Sequence, residues 1–314
     1  MNVPAKRKRV PVHGVLLLDK QVGFSSHQAL AMAKRLLNAE KAGHTGTLDP
    51  FATGLLPLCF GEATKFAQDL LDADKTYEAT LHLGVTTTTG DTEGDTVDTR
   101  PVDVSTEQIL QVLAGFRGAI RQVPPMYSAL KRDGKPLYEY AREGVTLERE
   151  ARDVVIHELE LIAHEGEQVR IRVRCSKGTY VRVLGEDIGK ALGCGAHLNA
   201  LRRTHIASLD IANSVTHERL AELPEQNRAG LLMPVDTLLS NFPEILLTEE
   251  LAARFRQGQR LSLMKAGLKA PETLGRCRVY DPSHELLGTA QLHEGGLLAP
   301  ERLVALPRAP LPSH

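Results

Sequence analysis

Gly43-His44-Thr45-Gly46-Thr47-Leu48-Asp49-Pro50-Phe51-Ala52-Thr53-Gly54 is the stretch on which the reading of this chain turns. Its three glycines, three threonines and Asp-Pro step suit neither a helix nor a strand. They predict a tight, hydrogen-bonded loop. The loop carries one carboxylate, Asp49, with His44 five residues before it. A rigid loop presenting a single acid has the form of a catalytic platform, since loops on a scaffold often carry function. An Asp before Pro also starts ordinary turns, its side chain bonding nearby backbone N–H groups.

Upstream of the loop, Val15 to Asp19 reads as a buried strand. Ser25-x-x-Gln28 is a capping-box pattern, followed by Leu30, Ala33 and Leu37 at helical spacing, so a helix should run to about Asn38. Downstream, Tyr77, Ala79, Leu81 and Leu83 alternate with polar residues, which predicts a half-buried strand. Thr86 to Asp98 reads as loop, and Ser105-x-x-Gln108 opens a second helix with Ile109, Val112, Leu113 and Phe116 inward. Gln122 to Pro136 reads as an exposed excursion, and Tyr138 to Arg142 as a short helical piece. Val154 to Ile162 and Val169 to Cys175 look like paired strands, the second with Arg170, Arg172 and Arg174 on one face. A helix from Val181 to Leu192 follows, ended by Gly193. Strands and helices mix without a βαβ repeat, which points to an α+β fold with a mixed, mostly antiparallel sheet.

With 314 residues the chain has room for one large domain or two unequal ones. Residues 1–12, with Lys6-Arg7-Lys8-Arg9, read as a basic flexible tail. Residues 13–240 form the main domain. Pro234, Asn241 and Pro243 mark a break, and 248–310 hold a helix and short strands at Arg260–Leu263, Gly275–Tyr280 and Leu286–Leu292. The core is aliphatic, because aromatics make up only 4 % and Trp is absent. A net charge of −1 argues mildly against a nucleic-acid partner in bulk, although cations crowd Arg170 to Arg182 and Arg202-Arg203. Cys59, Cys175, Cys194 and Cys277 include no C-x-x-C pair, so no zinc site is expected. Scattered cysteines and the lack of a signal or membrane span suggest a cytoplasmic protein.

The opening stretch and the Leu55-Leu56-Pro57 after it resemble the signature of the pseudouridine synthases that act on the T loop of tRNA. Three further blocks carry the resemblance: Asp74-Lys75-Thr76-Tyr77-Glu78-Ala79, Gln122-Val123-Pro124-Pro125-Met126-Tyr127-Ser128-Ala129, and Cys175-Ser176-Lys177-Gly178-Thr179-Tyr180-Val181-Arg182, the last extended by 193–198 and Leu201-Arg202-Arg203. The resemblance implies isomerisation of uridine to pseudouridine at position 55 of tRNA, by base flipping and cleavage and re-formation of the glycosidic bond, without metal or organic cofactor. It implies Asp49 as nucleophile, Arg182 as its charge partner, and Tyr77 as the ring that stacks on the target base and helps remove the C5 proton. Tyr180 and Leu201 would wall the uracil pocket, His44 would take the extruded base's place in the loop, and Lys20 would support the pocket as a further substrate-binding residue. Lys131 and Arg132 could meet phosphate. The 248–310 segment resembles a small β-rich RNA-binding domain of PUA type, which implies contact with the acceptor arm. A monomer is expected, for want of an interaction stripe.

Two other classes compete. A non-catalytic tRNA-binding or folding module on the same scaffold would lack the Asp, Tyr or Arg, and all three are present. A glycosidase wants paired carboxylates and a nucleobase deaminase a zinc signature with its Glu, and neither is seen.

Overall fold

The computed structural model describes residues 8–269 and 271–305. Nine strands build the larger sheet: β1 (Gly14–Lys20), β2 (Ala42–His44), β3 (Thr53–Phe60), β4 (Lys75–Leu83), β7 (Gly118–Gln122), β10 (Arg152–Glu165), β11 (Gln168–Cys175), β12 (Ala196–Ile206) and β13 (Leu209–Asp210). The intervening β5 (Val85–Thr87) pairs with β6 (Thr96–Thr99), and β8 (Lys131–Arg132) with β9 (Lys135–Pro136). The main path runs β1-β3-β12-β4-β11-β10-β7, with β13 on β12 and β2 on β3. Pairing in it is antiparallel except for the short β3–β12 contact. The expected α+β architecture is therefore present.

The two capping boxes form as the sequence predicts. Ser25 caps α1 (Ser26–Leu36) and Ser105 caps α3 (Thr106–Gly115), each exchanging bonds with the Gln three residues on. The short α2 (Ala67–Leu71) and α4 (Leu137–Arg142) and the longer α5 (Val181–Ala191) complete the helices that matter for the site. Leu16, Leu18, Leu56, Leu81, Val173, Leu184 and Leu198 belong to one core cluster that joins sheet and helices. Gly189 lets α5 lie directly on β12, because a Cβ there would sit 2.3 Å from the Ala196 nitrogen. That contact fixes the helix whose first turn carries Arg182.

Several sequence expectations need correcting. The tail does not extend to residue 12: the Val10 N–H donates to Asn38 O at 2.9 Å, and Val10 O accepts from the Glu40 N–H at 3.0 Å. Lys6 and Arg7 lie outside the described residues. Thr86 to Asp98 is not all loop but contains the β5–β6 hairpin. The Arg170, Arg172 and Arg174 row is matched by carboxylates, with Arg172 3.4 Å from Glu78 and Arg174 2.8 Å from Glu158. The cations that crowd this stretch of sequence therefore form a charge-balanced outer face.

A smaller five-stranded sheet lies in the C-terminal part, beginning at Glu244–Leu246, slightly before the expected bound of 248. It is fastened to the larger one by Arg276, which pairs with Asp69 of α2 and, at 2.7 Å, with Glu301. Lys65 adds a bond to Leu303 O at 2.9 Å.

Candidate active site

The signature stretch folds as a loop between two short strand ends. His44 closes β2, Thr53 opens β3, and the Ala52 N–H returns to Asp49 O at 3.1 Å. Beneath it, Ser26 Oγ accepts from the Leu48 N–H at 2.8 Å and donates to Leu48 O at 3.1 Å. These bonds hold the backbone so that Asp49 points into a cavity of about 330 Å³, within the usual range of small-molecule sites. Asp49, Tyr77, Tyr180, Arg182 and Leu201 all line that cavity. Five of the seven residues singled out from the sequence thus converge on one space.

Arg182 is the hub. Its Nε donates to Asp49 Oδ2 at 2.9 Å, one terminal nitrogen to Thr89 O at 2.9 Å, and the other to Tyr127 O at 2.6 Å. The guanidinium is buried, while about a third of the Asp49 side chain stays open to the cavity. Burial pushes the Asp49 carboxyl above the usual carboxylate range; the Arg182 charge and hydrogen bond pull it down, and Asp91 adds to the rise. Arg182 therefore favours the ionised form of Asp49.

Asp91 is a neighbour that the sequence reading left inside a loop. It is buried, 3.4 Å from Arg182 Nε, and accepts from Thr89 Oγ1 at 2.5 Å and the Glu93 N–H at 2.9 Å. Two carboxylates thus share one guanidinium. Gln122 was likewise given no role. Its side chain accepts from the Tyr180 N–H at 3.0 Å and donates to Tyr180 O at 3.3 Å, anchoring the start of α5. The signal for both was faint: Asp91 sits in a polar Thr- and Gly-rich stretch that reads as loop, and Gln122 stands at the start of the exposed excursion.

Lys20 requires a correction. It does not line the cavity and is fully buried, so it is not a substrate contact. Its ammonium donates to the carbonyls of Gln21, Phe24 and Pro50 at 3.0, 2.7 and 3.3 Å. It ties the β1–α1 turn to the residue after Asp49. Burial pushes its pKa down to about 8, with Asp49 opposing. Lys75 does line the cavity, but its ammonium is occupied by the carbonyls of Leu70, Leu71 and Ala73 at the end of α2.

His44 stands outside the cavity lining, on β2, with a buried Nδ1 that has no hydrogen-bond partner. Burial, Arg203 and His27 lower its pKa, so the ring is neutral near pH 7. Lys131 and Arg132 sit exposed on the β8–β9 hairpin. Among the described residues no group of His, Cys, Asp or Glu is arranged to hold a metal, and no helix is long and apolar enough to cross a membrane.

Comparison with solved structures identifies the fold as that of the pseudouridine synthases. The chain is similar to a protein in a structure described as a Cbf5-Nop10-Gar1 complex, with TM-score 0.72 and 28% identity, covering 93% of this chain and 84% of that one. It is similar, with TM-score 0.72 and 26% identity over 93% of this chain and 84% of the other, to one in an H/ACA RNP bound to a substrate RNA containing 2′-deoxyuridine. Family models agree: TruB family pseudouridylate synthase (N terminal domain) matches residues 34–181, tRNA pseudouridylate synthase B C-terminal domain 182–240, and Pseudouridine synthase II TruB, C-terminal, 243–304. Curated relatives named tRNA pseudouridine synthase B include one from Burkholderia mallei (strain NCTC 10247), 60% identical over 94% of this chain and 98% of its own. Another, from Ralstonia nicotianae, is 57% identical over 96% and 97%. The chain belongs to the TruB family of pseudouridylate synthases.

Proposed function

We propose that this chain isomerises uridine to pseudouridine in tRNA, at position 55 of the T loop, with Asp49 as the group on which the chemistry turns. Family membership supports the reaction and the tRNA substrate. The single observation that carries the residue assignment is the ionised-form clamp: Asp49 faces an open cavity while Arg182, fixed by two backbone carbonyls, holds its carboxylate. In the reaction the N1–C1′ bond of uridine breaks, a C5–C1′ bond forms, the C5 hydrogen leaves as a proton, and N1 gains one. A carboxylate can support this by adding to C1′ or to C6 and leaving again, or by assisting a glycal route.

Tyr77 would stack on the base from the β4 side, with Tyr180 and Leu201 as the remaining walls. His44, neutral and holding an unpartnered ring nitrogen, would fill the gap left in the RNA loop when the target flips out. Residues 13–240 would act as the catalytic unit and 248–310 as an RNA-binding unit reaching the acceptor arm. Residues 306–310 of that unit lie outside the described residues. Four buried free thiols fit work in a reducing cytoplasm.

The test is release of tritium from a tRNA transcript labelled at uridine C5, comparing wild type with Asp49→Asn. Release by wild type alone supports the proposal. Equal release by both removes Asp49 from the chemistry, and no release by a folded, tRNA-binding wild type favours a binding module.

A further inference from the structure

The chain between β3 and β4 is gripped on its side by the smaller sheet and ends in the wall of the cavity that Asp49 faces. A 3-10 turn, Gly61–Phe66, runs directly into α2. Ala63, Phe66 and Leu70, three and four residues apart, are buried in one cluster with Tyr280 and Leu286 of the smaller sheet. Three polar ties surround this apolar contact. Asp69 pairs with Arg276, Lys65 donates to Leu303 O at 2.9 Å, and Glu62 accepts from the Ala305 N–H at 2.9 Å. Arg276 is oriented from within its own sheet: Glu301 lies 2.7 Å from its Nε, and the Thr289 hydroxyl accepts from it at 3.4 Å. The Asp69 side chain is 9% exposed and that of Arg276 20%, so solvent screens this pair far less than an open surface pair.

The far end of the same segment meets the site. The last carbonyls of a helix have no donor of their own. Here Lys75 supplies one, its ammonium donating to Leu70 O and Leu71 O, and to Ala73 O just beyond, at 3.1, 2.7 and 2.6 Å. Leu71 and Lys75 both line the cavity, and Lys75 opens the strand that carries Tyr77. Leu71 also packs under the signature loop, since a Cβ on Gly46 would lie 3.6 Å from Leu71 Cδ2. Asp72 is 2.9 Å from Lys177, which stands between the cavity-lining Ser176 and Gly178. One short segment thus joins the smaller sheet to three walls of the cavity. A helix as short as α2 is not stable alone and keeps its place through what packs against it. Loss of the Arg276 charge would leave the Asp69 carboxylate buried and unpaired, a cost that the segment can relieve by moving.

We propose that Arg276 of the smaller sheet is a positioning residue for the reaction: through Asp69 it fixes α2, and α2 fixes Leu71 and Lys75 in the cavity wall. The inference rests on the function proposed above. It gives the C-terminal part a second task, separate from any RNA that it touches, because the fastening acts on the cavity whether or not RNA lies on the smaller sheet. Small displacements at a reacting centre are expensive, and a misplacement of about 1 Å costs up to about 10² in rate. A loosened α2 should therefore slow the chemical step on every substrate, including one with no acceptor arm.

The experiment uses the full chain, a whole tRNA and a T-arm hairpin that lacks the acceptor arm. Single-turnover conversion is followed with enzyme in saturating excess, where the rate constant does not depend on the fraction folded. Arg276→Gln should lower the hairpin rate constant at least about fivefold, and the tRNA rate constant by a similar factor. Asp69→Asn should do the same, and the double variant should be no slower than the slower single, because both changes break one contact. Arg276→Lys, which keeps a cation opposite Asp69, should recover most of the rate. A hairpin rate constant that falls less than about fivefold in Arg276→Gln overturns the inference and leaves the function intact, even where affinity for whole tRNA drops. Factors that multiply in the double variant overturn it as well. If Arg276→Gln gives no folded protein, Lys65→Met loosens the same segment at Leu303 O. It should then lower the hairpin rate constant at least about threefold, and a smaller fall overturns the inference. Conversion of neither RNA by wild type brings down the function proposal and this one with it.

Discussion

Tyr77 and Arg203 are register partners across the antiparallel strands β4 and β12, and both line the cavity that Asp49 faces. Arg203 is 1% exposed, donates to Leu55 O at 2.8 Å and Gly46 O at 3.4 Å, and has no carboxylate within ion-pair distance among the described residues. A buried cation without a counter-ion is costly unless something nearby gains from it. Burial raises the Tyr77 phenol, and the Arg203 charge opposes the rise. The cation therefore favours the phenolate, the form that a proton-abstracting Tyr77 needs. Tyr77→Phe should lower kcat by about 10² to 10⁴, the usual worth of a positioned acid or base. Retention of more than a tenth of wild-type kcat would remove Tyr77 from proton transfer. Arg203→Met should displace any tyrosine-dependent limb of the pH–rate profile to higher pH.

The acid limb of that profile should belong to Asp49. Its folded pKa is raised by burial and held back by Arg182, so activity is lost as pH falls through that value. Arg182→Gln removes the restraint, and the limb should move to higher pH, with kcat at neutral pH down by at least about 10³. A limb that stays in place in single-turnover rates would show that Asp49 ionisation is not what it reports.

Lys20→Met tests a residue that touches the loop carrying Asp49 but not the cavity. Three carbonyls would lose their donor, and one of them belongs to Pro50, next to Asp49. Leaving buried acceptors unpaired costs about 1–3 kcal/mol each, so a stability loss of about 3 kcal/mol is expected in urea unfolding. Because Lys20 acts through the loop, the residual folded enzyme should show lower kcat with KM for tRNA changed less than about threefold. An increase in KM alone would restore Lys20 as a substrate contact.

Gly54→Ala should be among the most damaging single changes. The residue has φ of +103°, and a Cβ there would fall 2.3 Å from Arg203 O. Gly54 is also the register partner of both Lys20 and Arg203, so relaxation would shift both buried cations. Loss of soluble protein, or destabilisation of about 3 kcal/mol or more, is expected. A melting temperature within 2–3 °C of wild type, roughly the shift that 1 kcal/mol gives in a chain of this size, would contradict the close approach.

The elements with clean periodicity were legible in the sequence. Both capping boxes, the alternating strand through Tyr77 and the helix after Tyr180 stand where the pattern put them. β12 was not legible. Its register shifts between Leu198 and Ala200 and again between Arg203 and His205, and each bulge breaks the two-residue alternation that marks a strand. β3 is buried nearly throughout and contains Pro57, so it shows neither alternation nor the composition of a central strand. At the site, the residues named for chemistry gather in one cavity, while Lys20 had to be moved from contact to support. Asp91 escaped notice because its local bonds to Thr89 and Glu93 look like those of any turn; nothing near Thr89-Gly90-Asp91 announces that a guanidinium 91 residues later will reach it.

Arg182 meets three separate parts of the chain at one planar group: the signature loop, the Thr89 turn and the segment through Tyr127. A long, freely rotating side chain has lost its rotamer freedom here before any RNA arrives. Its immobilisation is completed once, when the polypeptide folds, instead of being repeated at every encounter with substrate. On the proposed function, the free energy of docking an RNA would therefore be left for unstacking and turning out the target base, the one rearrangement that the protein cannot perform in advance.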